Sequence, residues 1–359
     1  MTALSRSIIN GFAEQVSLKL LGVVGLGKEP DYDYFQEWIK QGNHGDMSFL
    51  ENYREVRQDS SSIYPDARSA VIFALPYYLG DRSRSSKPMI AQYARIRDYH
   101  KMLKKKGEYI LSSMKKINPD LAGKVVVDSA PLMERSLASR TVRGFIGKNT
   151  LYIHPELGSF LLLGEIVTNQ SIALDLPANV DSKTRTPDGG CGTCKRCQIN
   201  CPTGALDNEW KMDARKCISY WTIEHRGTIP FKYWQYLGRY WYGCDICQLV
   251  CPWNRKIPNS EFFQKETQVN KLDLFDVAIM DQNFYESSFG GTPMTRAKIH
   301  GLRRNALIAM TVTEHPRLME AINTVQTSDH QVIRDTVKQI DQWRIEYRLS
   351  NGHISLRMS

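Results

Sequence analysis

CGTCKRCQINCP, from Cys191 to Pro202, and CDICQLVCP, from Cys244 to Pro252, decide what the middle of this chain becomes. All eight cysteines of the 359-residue sequence fall between Cys191 and Cys251, with Cys217 standing alone between the two runs. Cys191, Cys194, Cys197 and Cys201, followed by Pro202, have the spacing of bacterial two-cluster ferredoxins, in which three cysteines hold one cubane and the fourth reaches the other. Cys191, Cys194 and Cys197 are thereby assigned to a first 4Fe-4S cluster and Cys201 to a second. The later run, Cys244, Cys247 and Cys251, lacks its expected neighbour, and Cys217 is the cysteine left to replace it. The pseudo-symmetric exchange gives Cys251 to the first cluster, and Cys201, Cys217, Cys244 and Cys247 complete the second. A disulfide framework and paired zinc knuckles are the competing readings. Disulfide scaffolds belong to small secreted domains, and the opening MTALSRSIINGFAEQVSLKLLG, with Glu14 and Lys19 among its apolar positions, reads as an amphipathic helix, not an export signal. Zinc requires no such register.

Lys and Arg outnumber Asp and Glu by 47 to 38, a formal charge of +9, which favours a polyanionic partner such as nucleic acid. No stretch approaches the roughly 20 apolar residues needed to cross a bilayer. A cytoplasmic protein without membrane contact is therefore expected. The length and a 42% hydrophobic content allow a sizeable core and two or three domains. Three stretches differ in composition: 1–180, 181–262 and 263–359. In the first, SAVIFAL from Ser69 and KVVVD from Lys124 read as buried strands. Between them Tyr99, Leu103, Ile110, Met114 and Ile117 recur at helical spacing, with Lys101, Lys104, Lys105, Lys115 and Lys116 mostly off that stripe as a solvated face. DSKTRTPDGG from Asp181 is a polar, turn-rich linker. The last stretch carries three helical stripes: Ile299, Leu302, Ala306 and Ala309; Leu318, Ile322 and Val325; then Ile333, Val337, Ile340, Trp343 and Tyr347. Pro316 separates the first two, and Ser328 with Gln331 reads as a capping box opening the third.

Electron carriage leaves open where the electrons go. Asp128 ends an apolar strand before Ser129, Ala130 and Pro131, at a strand-to-helix junction where α/β proteins open pockets. Its carboxylate, or Ser129, could equally cap a helix carrying Leu132 to Ala138. On spacing both roles stand. Gly144, Gly147, Lys148, Asn149, Gly158, Ser159 and Gly164 form glycine-punctuated segments able to approach a large ligand, although they match neither the Walker nor the dinucleotide fingerprint.

DSAPLMER at Asp128, IGKNT at Ile146, GSFLLLGEI at Gly158, DARKCISYWTIEHRG at Asp213 and YGCDICQLVCPWNR at Tyr242, with YARIRDYH at Tyr93 and GTPMTRAKIHGLRRNALIA at Gly291, together resemble the epoxyqueuosine reductase family along nearly the whole chain. The cysteine pattern is shared with other ferredoxin-containing enzymes; CISYWTIEHRG together with CDICQLVCPWNR is more selective. The resemblance implies an α+β protein with an N-terminal α/β cobalamin-binding domain, a ferredoxin-like two-cluster domain and a C-terminal helical-repeat, HEAT-like region. It implies reduction of epoxyqueuosine to queuosine at the wobble position of tRNA, the last step of queuosine synthesis, using cobalamin and two 4Fe-4S clusters fed by an external one-electron donor such as a flavodoxin or ferredoxin. Asp128 maps onto the family's proton donor, a role that requires its pKa to be raised. Cobalamin contacts implied are Arg57, Tyr93, Ala94, Asp98, Asp128, Gly147, Lys148, Asn149, Tyr152 and Ser159. No DxHxxG signature is present, and His100 reads as a helix residue with an ordinary hydrogen bond. Arg57 could also be a surface arginine. Arg255, Arg296, Arg303 and Arg304 are the expected tRNA contacts, in a protein expected to be a monomer. The aromatic residues around the second motif, including Trp221, Trp234, Tyr240 and Trp241, read as core shielding a cluster. A corrinoid reductive dehalogenase and a non-catalytic ferredoxin-type electron carrier are the alternatives.

Overall fold

The computed structural model describes residues 4–80, 88–128, 130–141, 143–172, 190–263 and 267–349. The linker at 181–189, Ser129 and the Tyr347 side chain lie outside the described residues. The strands are β1 (Lys19–Gly25), β2 (Ser69–Pro76), β3 (Met89–Ile90), β4 (Gly123–Val126), β5 (Phe145–Ile146), β6 (Tyr152–Ile153), β7 (Leu161–Thr168) and β8 (Tyr240–Tyr242). The helices are α1 (Arg6–Gln15), α2 (Tyr32–Lys40), α3 (Arg54–Gln58), α4 (Tyr99–Ile117), α5 (Glu134–Ser139), α6 (Arg196–Ile199), α7 (Trp234–Leu237), α8 (Ile246–Leu249), α9 (Leu274–Ile279), α10 (Gln282–Phe289), α11 (Lys298–Val312), α12 (Leu318–Val325) and α13 (Gln331–Leu349). Compactness divides them into two units, neither of which is one continuous stretch. The first takes Met1–Arg82, Asp98–Cys217 and Asp245–Lys265; the second takes Ser83–Arg97, Ile218–Cys244 and Glu266–Ser359.

The first unit is built on a sheet of order β1-β2-β7-β4, in which every neighbouring pair is antiparallel. This corrects the α/β expectation for the N-terminal half to an α+β layer. Apolar runs such as SAVIFAL report burial on both faces and carry no information on strand direction. One face receives α4, whose Gly107 comes so close that a Cβ there would lie 2.6 Å from Val125 Cγ1. Gly164 on β7 similarly leaves room for the Phe73 ring. The other face is covered by α5, where Leu137 and Ala138 pack with Ile72 and Val126. Asp98 caps α4 by accepting the His100 N–H, and Leu103, Ile110 and Met114 are buried while the five lysines named above are exposed, as the stripe required.

The second unit is helical around a core that includes Trp234, Leu302, Ala306, Met310, Ile333 and Ile340. The three stripes become α11, α12 and α13. The capping box does not form: Ser328 accepts from the His330 N–H, while the Gln331 amide donates to Asp335. Among the described residues no helix is long and apolar enough to cross a membrane.

Candidate functional site

None of the eight cysteines is joined in a disulfide, against the disulfide reading. Cys251 and Cys191 pack with Phe145, Ile153 and Trp253 in one small apolar cluster. Burial first, then the nearby Cys191, Cys197 and Cys194, pushes the Cys251 thiol up to about 11. Cys247 is pushed up in the same way, with Cys217 and Cys201 as its nearest thiol neighbours in the first unit. Cys251 therefore lies near the thiols of the first run, and Cys247 near Cys217 and Cys201, with Cys197 acting on it more weakly. Among the described residues no three His, Cys, Asp or Glu side chains converge on a single-ion position.

The IGKN segment forms one wall of the first thiol group. The Lys148 N–H donates to Cys191 Sγ at 3.3 Å, and its ammonium is buried against Gly192 O and Glu209, 5.4 Å from the Trp210 ring centre. A Cβ at Gly147 would lie 2.5 Å from Ile153 Cδ1 and 2.7 Å from Asn149 Oδ1, so a larger residue there would displace both side chains. An N–H aimed at a thiolate favours its ionised form and raises the potential of an attached cluster.

A second group of polar side chains gathers where α4 begins, in the same unit. Asp128 follows β4 with φ +45°, a left-handed conformation that costs a non-glycine residue about 1 kcal/mol or more and is tolerated by Asp and Asn. Its Oδ2 accepts from Tyr99 Oη at 3.0 Å and pairs with His100 Nε2 at 2.9 Å, while its own N–H donates to Glu134 Oε1 at 2.6 Å. His100 Nδ1 pairs with Asp98 at 2.6 Å, and its ring stacks on Tyr99 with centroids 4.2 Å apart. The hydrogen bond to Asp128, then Asp98 against the opposing cost of burial, raises the His100 pKa to about 9. At neutral pH the available proton therefore sits on an imidazolium between two carboxylates. The helix-capping reading of Asp128 does not hold, since α5 starts at Glu134 behind Met133. The Asp128 side chain is 53% exposed.

This arrangement has a measurable consequence for His100. Its folded pKa is raised, so its contribution to stability is complete below pH 6.5 and disappears as pH rises through about 9. Asp128→Asn and Asp98→Asn should each lower the His100 midpoint, Asp128→Asn by more. An NMR titration of the ring protons reads this directly, and unmoved midpoints would contradict the contacts.

The remaining expected contacts scatter. Arg57 is buried on α3, donating to Asn52 O at 3.4 Å and lying 5.4 Å over Phe35, so it is not a surface arginine. Tyr93 and Ala94 fall in the second unit, where Ala94 is core. Tyr152 is buried against Gly144, and Ser159 is taken up by Gln248 and Asn254, which gives it a part in holding the second cysteine run in place. Of the expected RNA contacts, Arg255 is exposed and Arg296 is exposed but bound bidentately by Glu224. Arg303 donates to Ala278 O, and Arg304 is wholly buried, so it is withdrawn from the RNA surface. Tyr99, Glu134 and Glu165 were not anticipated. Glu165 could have been noticed as the one charge in the apolar run LLLGEIVT.

Comparison with known proteins bears on both thiol and acid groups. The chain matches the family described as 4Fe-4S double cluster binding domain over residues 190–254, and the family described as epoxyqueuosine reductase QueG, DUF1730, over residues 57–129. It is 32% identical over 328 residues to the epoxyqueuosine reductase of Vibrio cholerae, covering 88% of this chain and 85% of that one. A crystal structure of an epoxyqueuosine reductase with an epoxyqueuosine-modified tRNA stem loop superposes with a TM-score of 0.82 at 25% identity, covering 98% of this chain and 95% of that one. A Bacillus subtilis epoxyqueuosine reductase whose catalytic aspartate loop is swung out of the active site superposes with a TM-score of 0.80 at 25% identity, with the same coverage.

Proposed function

The chain belongs to the epoxyqueuosine reductase family, and we propose that it reduces epoxyqueuosine to queuosine in tRNA, at the wobble position. The observation that carries this reading is that the family matches run through both the cysteine runs, at residues 190–254, and the Asp98–His100–Asp128 group, at residues 57–129. We assign Cys191, Cys194, Cys197 and Cys251 to one 4Fe-4S cluster, and Cys201, Cys217, Cys244 and Cys247 to the other. Cobalamin is the partner we assign to the acid group. The buried Asn149 Nδ2, without a hydrogen-bond partner among the described residues, suits a macrocycle rimmed with amide acceptors, and Lys148 and Asp128 would hold neighbouring parts of it. Bound there, these cofactors supply electrons one at a time and a metal centre able to act on an epoxide carbon.

The chain's own residues handle protons and position. Tyr99 and His100 fix the Asp128 carboxylate, and the imidazolium keeps a proton within one hydrogen bond of it. Lys148 anchors the loop that carries Cys191. For RNA, Arg255 and Arg296 stay on the surface, and the helical-repeat, HEAT-like character assigned to the C-terminal stretch is supported by α11, α12 and α13 packing on one another.

The test is direct. Anaerobically reconstituted protein, supplied with cobalamin, reductant and an epoxyqueuosine-containing anticodon stem-loop, should yield a nucleoside lighter by one oxygen. Unchanged nucleoside in a cobalt- and iron-replete preparation would sink the proposal. In the same preparation Cys251→Ser should leave the second cluster intact and reduce iron from about eight to about four per chain, with one paramagnetic signal lost on reduction. Loss of all the iron, or of none, would contradict the assignment.

A further inference from the structure

We propose that Glu134 and Glu165 form a buried proton reserve behind Asp128, supplying the second of the two protons that deoxygenation consumes. This deepens the reading above and rests on it. An oxirane that becomes an alkene takes up two electrons and two protons. Both carbon–oxygen bonds break, the carbon–carbon bond becomes double, and the oxygen leaves as water. The electrons come from the external one-electron donor through the iron–sulfur clusters. The His100 and Asp128 pair accounts for one proton and needs a source for the other.

Glu165 lies mid-strand on β7, directly opposite Ile72 on β2 and Val126 on β4, so its side chain shares their face, the one covered by α5. It is fully buried, and neither carboxyl oxygen has a hydrogen-bond partner among the described residues. Packing alone calls for an apolar residue between two apolar neighbours. An ionised carboxylate left unpaired there costs several kcal/mol, so the group is held as the neutral acid. Its charged surroundings reinforce this, for Glu134 and Asp128 are the acids that act on it. Glu134 opens α5 on the same face, and its Oε1 touches the Asp128 N–H. Burial first and then Asp128 push its carboxyl well up, against the pull of Arg135 and His100. With Tyr99 on α4 and Asp98 beyond His100, these are the titratable groups facing the pair. A proton on Glu134 is thus one residue's backbone away from the Asp128 carboxylate.

Glu134→Gln keeps the acceptor for the Asp128 N–H and removes only the proton, which makes it the informative variant. Single-turnover deoxygenation of the stem-loop by the anaerobic holoenzyme should be level at low pH in the wild type and decline as pH rises through about 8. E134Q should be about tenfold slower near pH ~6.5 and should converge on the wild type above pH ~9, where Glu134 of the wild type has given up its proton. E165Q should slow the reaction about threefold in the same low-pH range. It should also remove a protonated-carboxyl C=O band from the infrared difference spectrum, a readout independent of turnover. A pH profile of unchanged shape in E134Q would overturn the reserve, as would persistence of the band in E165Q. Loss of bound cobalt in E165Q would overturn it too, by making the acid a cofactor contact. Absence of wild-type deoxygenation at every pH is a different failure, that of the parent reading.

Discussion

Asp128→Asn is expected to lower the single-turnover rate of epoxyqueuosine deoxygenation by about 10²- to 10⁴-fold while leaving iron content, cobalamin content and melting temperature near wild type. Asparagine fits because it tolerates the left-handed backbone at φ +45° that alanine or a branched residue would strain. It also keeps an oxygen for the Tyr99 hydroxyl and the His100 ring. What it cannot do is carry negative charge or exchange a proton with the imidazole. The exposed position of the side chain keeps the stability change small, and no helix loses a cap. With its strongest raising contact gone, His100 should return toward its ordinary pKa, so the variant should lose the proton held beside the site at neutral pH. Activity within about threefold of wild type would remove Asp128 from the reaction. A loss of cobalamin together with activity would make it a binding residue instead.

The parts of this molecule that were legible in the sequence are those whose determinants are local. Cysteine spacing is set by the reach of one loop around one cluster, so the two runs could be interpreted without any tertiary information. Stripes such as Leu103, Ile110 and Met114, or Leu318, Ile322 and Val325, repeat at helical period because one side of each helix is buried. Strand direction was not legible, since β2 is apolar along its length whichever way its neighbours run. Nor was the polar group around Asp128. Tyr99 and His100 look like ordinary first-turn residues until β4 brings the carboxylate to them from 28 residues away. Glu165 is conspicuous in its strand, yet only the register against Ile72 and Val126 shows which face it occupies. Ser159 was expected at a ligand from its glycine-punctuated segment and from the family resemblance, Tyr152 from the resemblance alone. Two of the glycines in that segment also serve packing, since Gly158 admits Asn254 and Gly144 admits Tyr152.

Arg304→Met is expected to destabilise the protein by about 3–5 kcal/mol without flattening the salt dependence of tRNA binding, the reverse of what an RNA-contacting arginine would do. The guanidinium is wholly buried on α11, a helix whose residues from Arg304 to Thr311 are all inaccessible, so it has no solvent face to present. Nη1 donates to the carbonyls of His225 at 2.9 Å and Gly227 at 2.5 Å, Nη2 to that of Trp221 at 2.8 Å, and Asn305 Oδ1 accepts from Nε and Nη2. Asn305 in turn donates to Thr222 O. Trp221 and Thr222 belong to a π-helical turn, Tyr220–Glu224, where widened backbone spacing leaves carbonyls that a planar five-donor group can reach together. Methionine fills much of the volume and satisfies none of those oxygens. Arg304→Lys should rescue little, because one ammonium with three donors cannot span carbonyls that the fork reaches from both nitrogens. Chemical denaturation and a salt titration of stem-loop binding, run on the same variants, separate the two roles. Near-normal stability with a salt slope shallower by about one phosphate would return Arg304 to the RNA surface. Loss of stability at an unchanged slope would confirm it as the strut of the turn that follows Cys217.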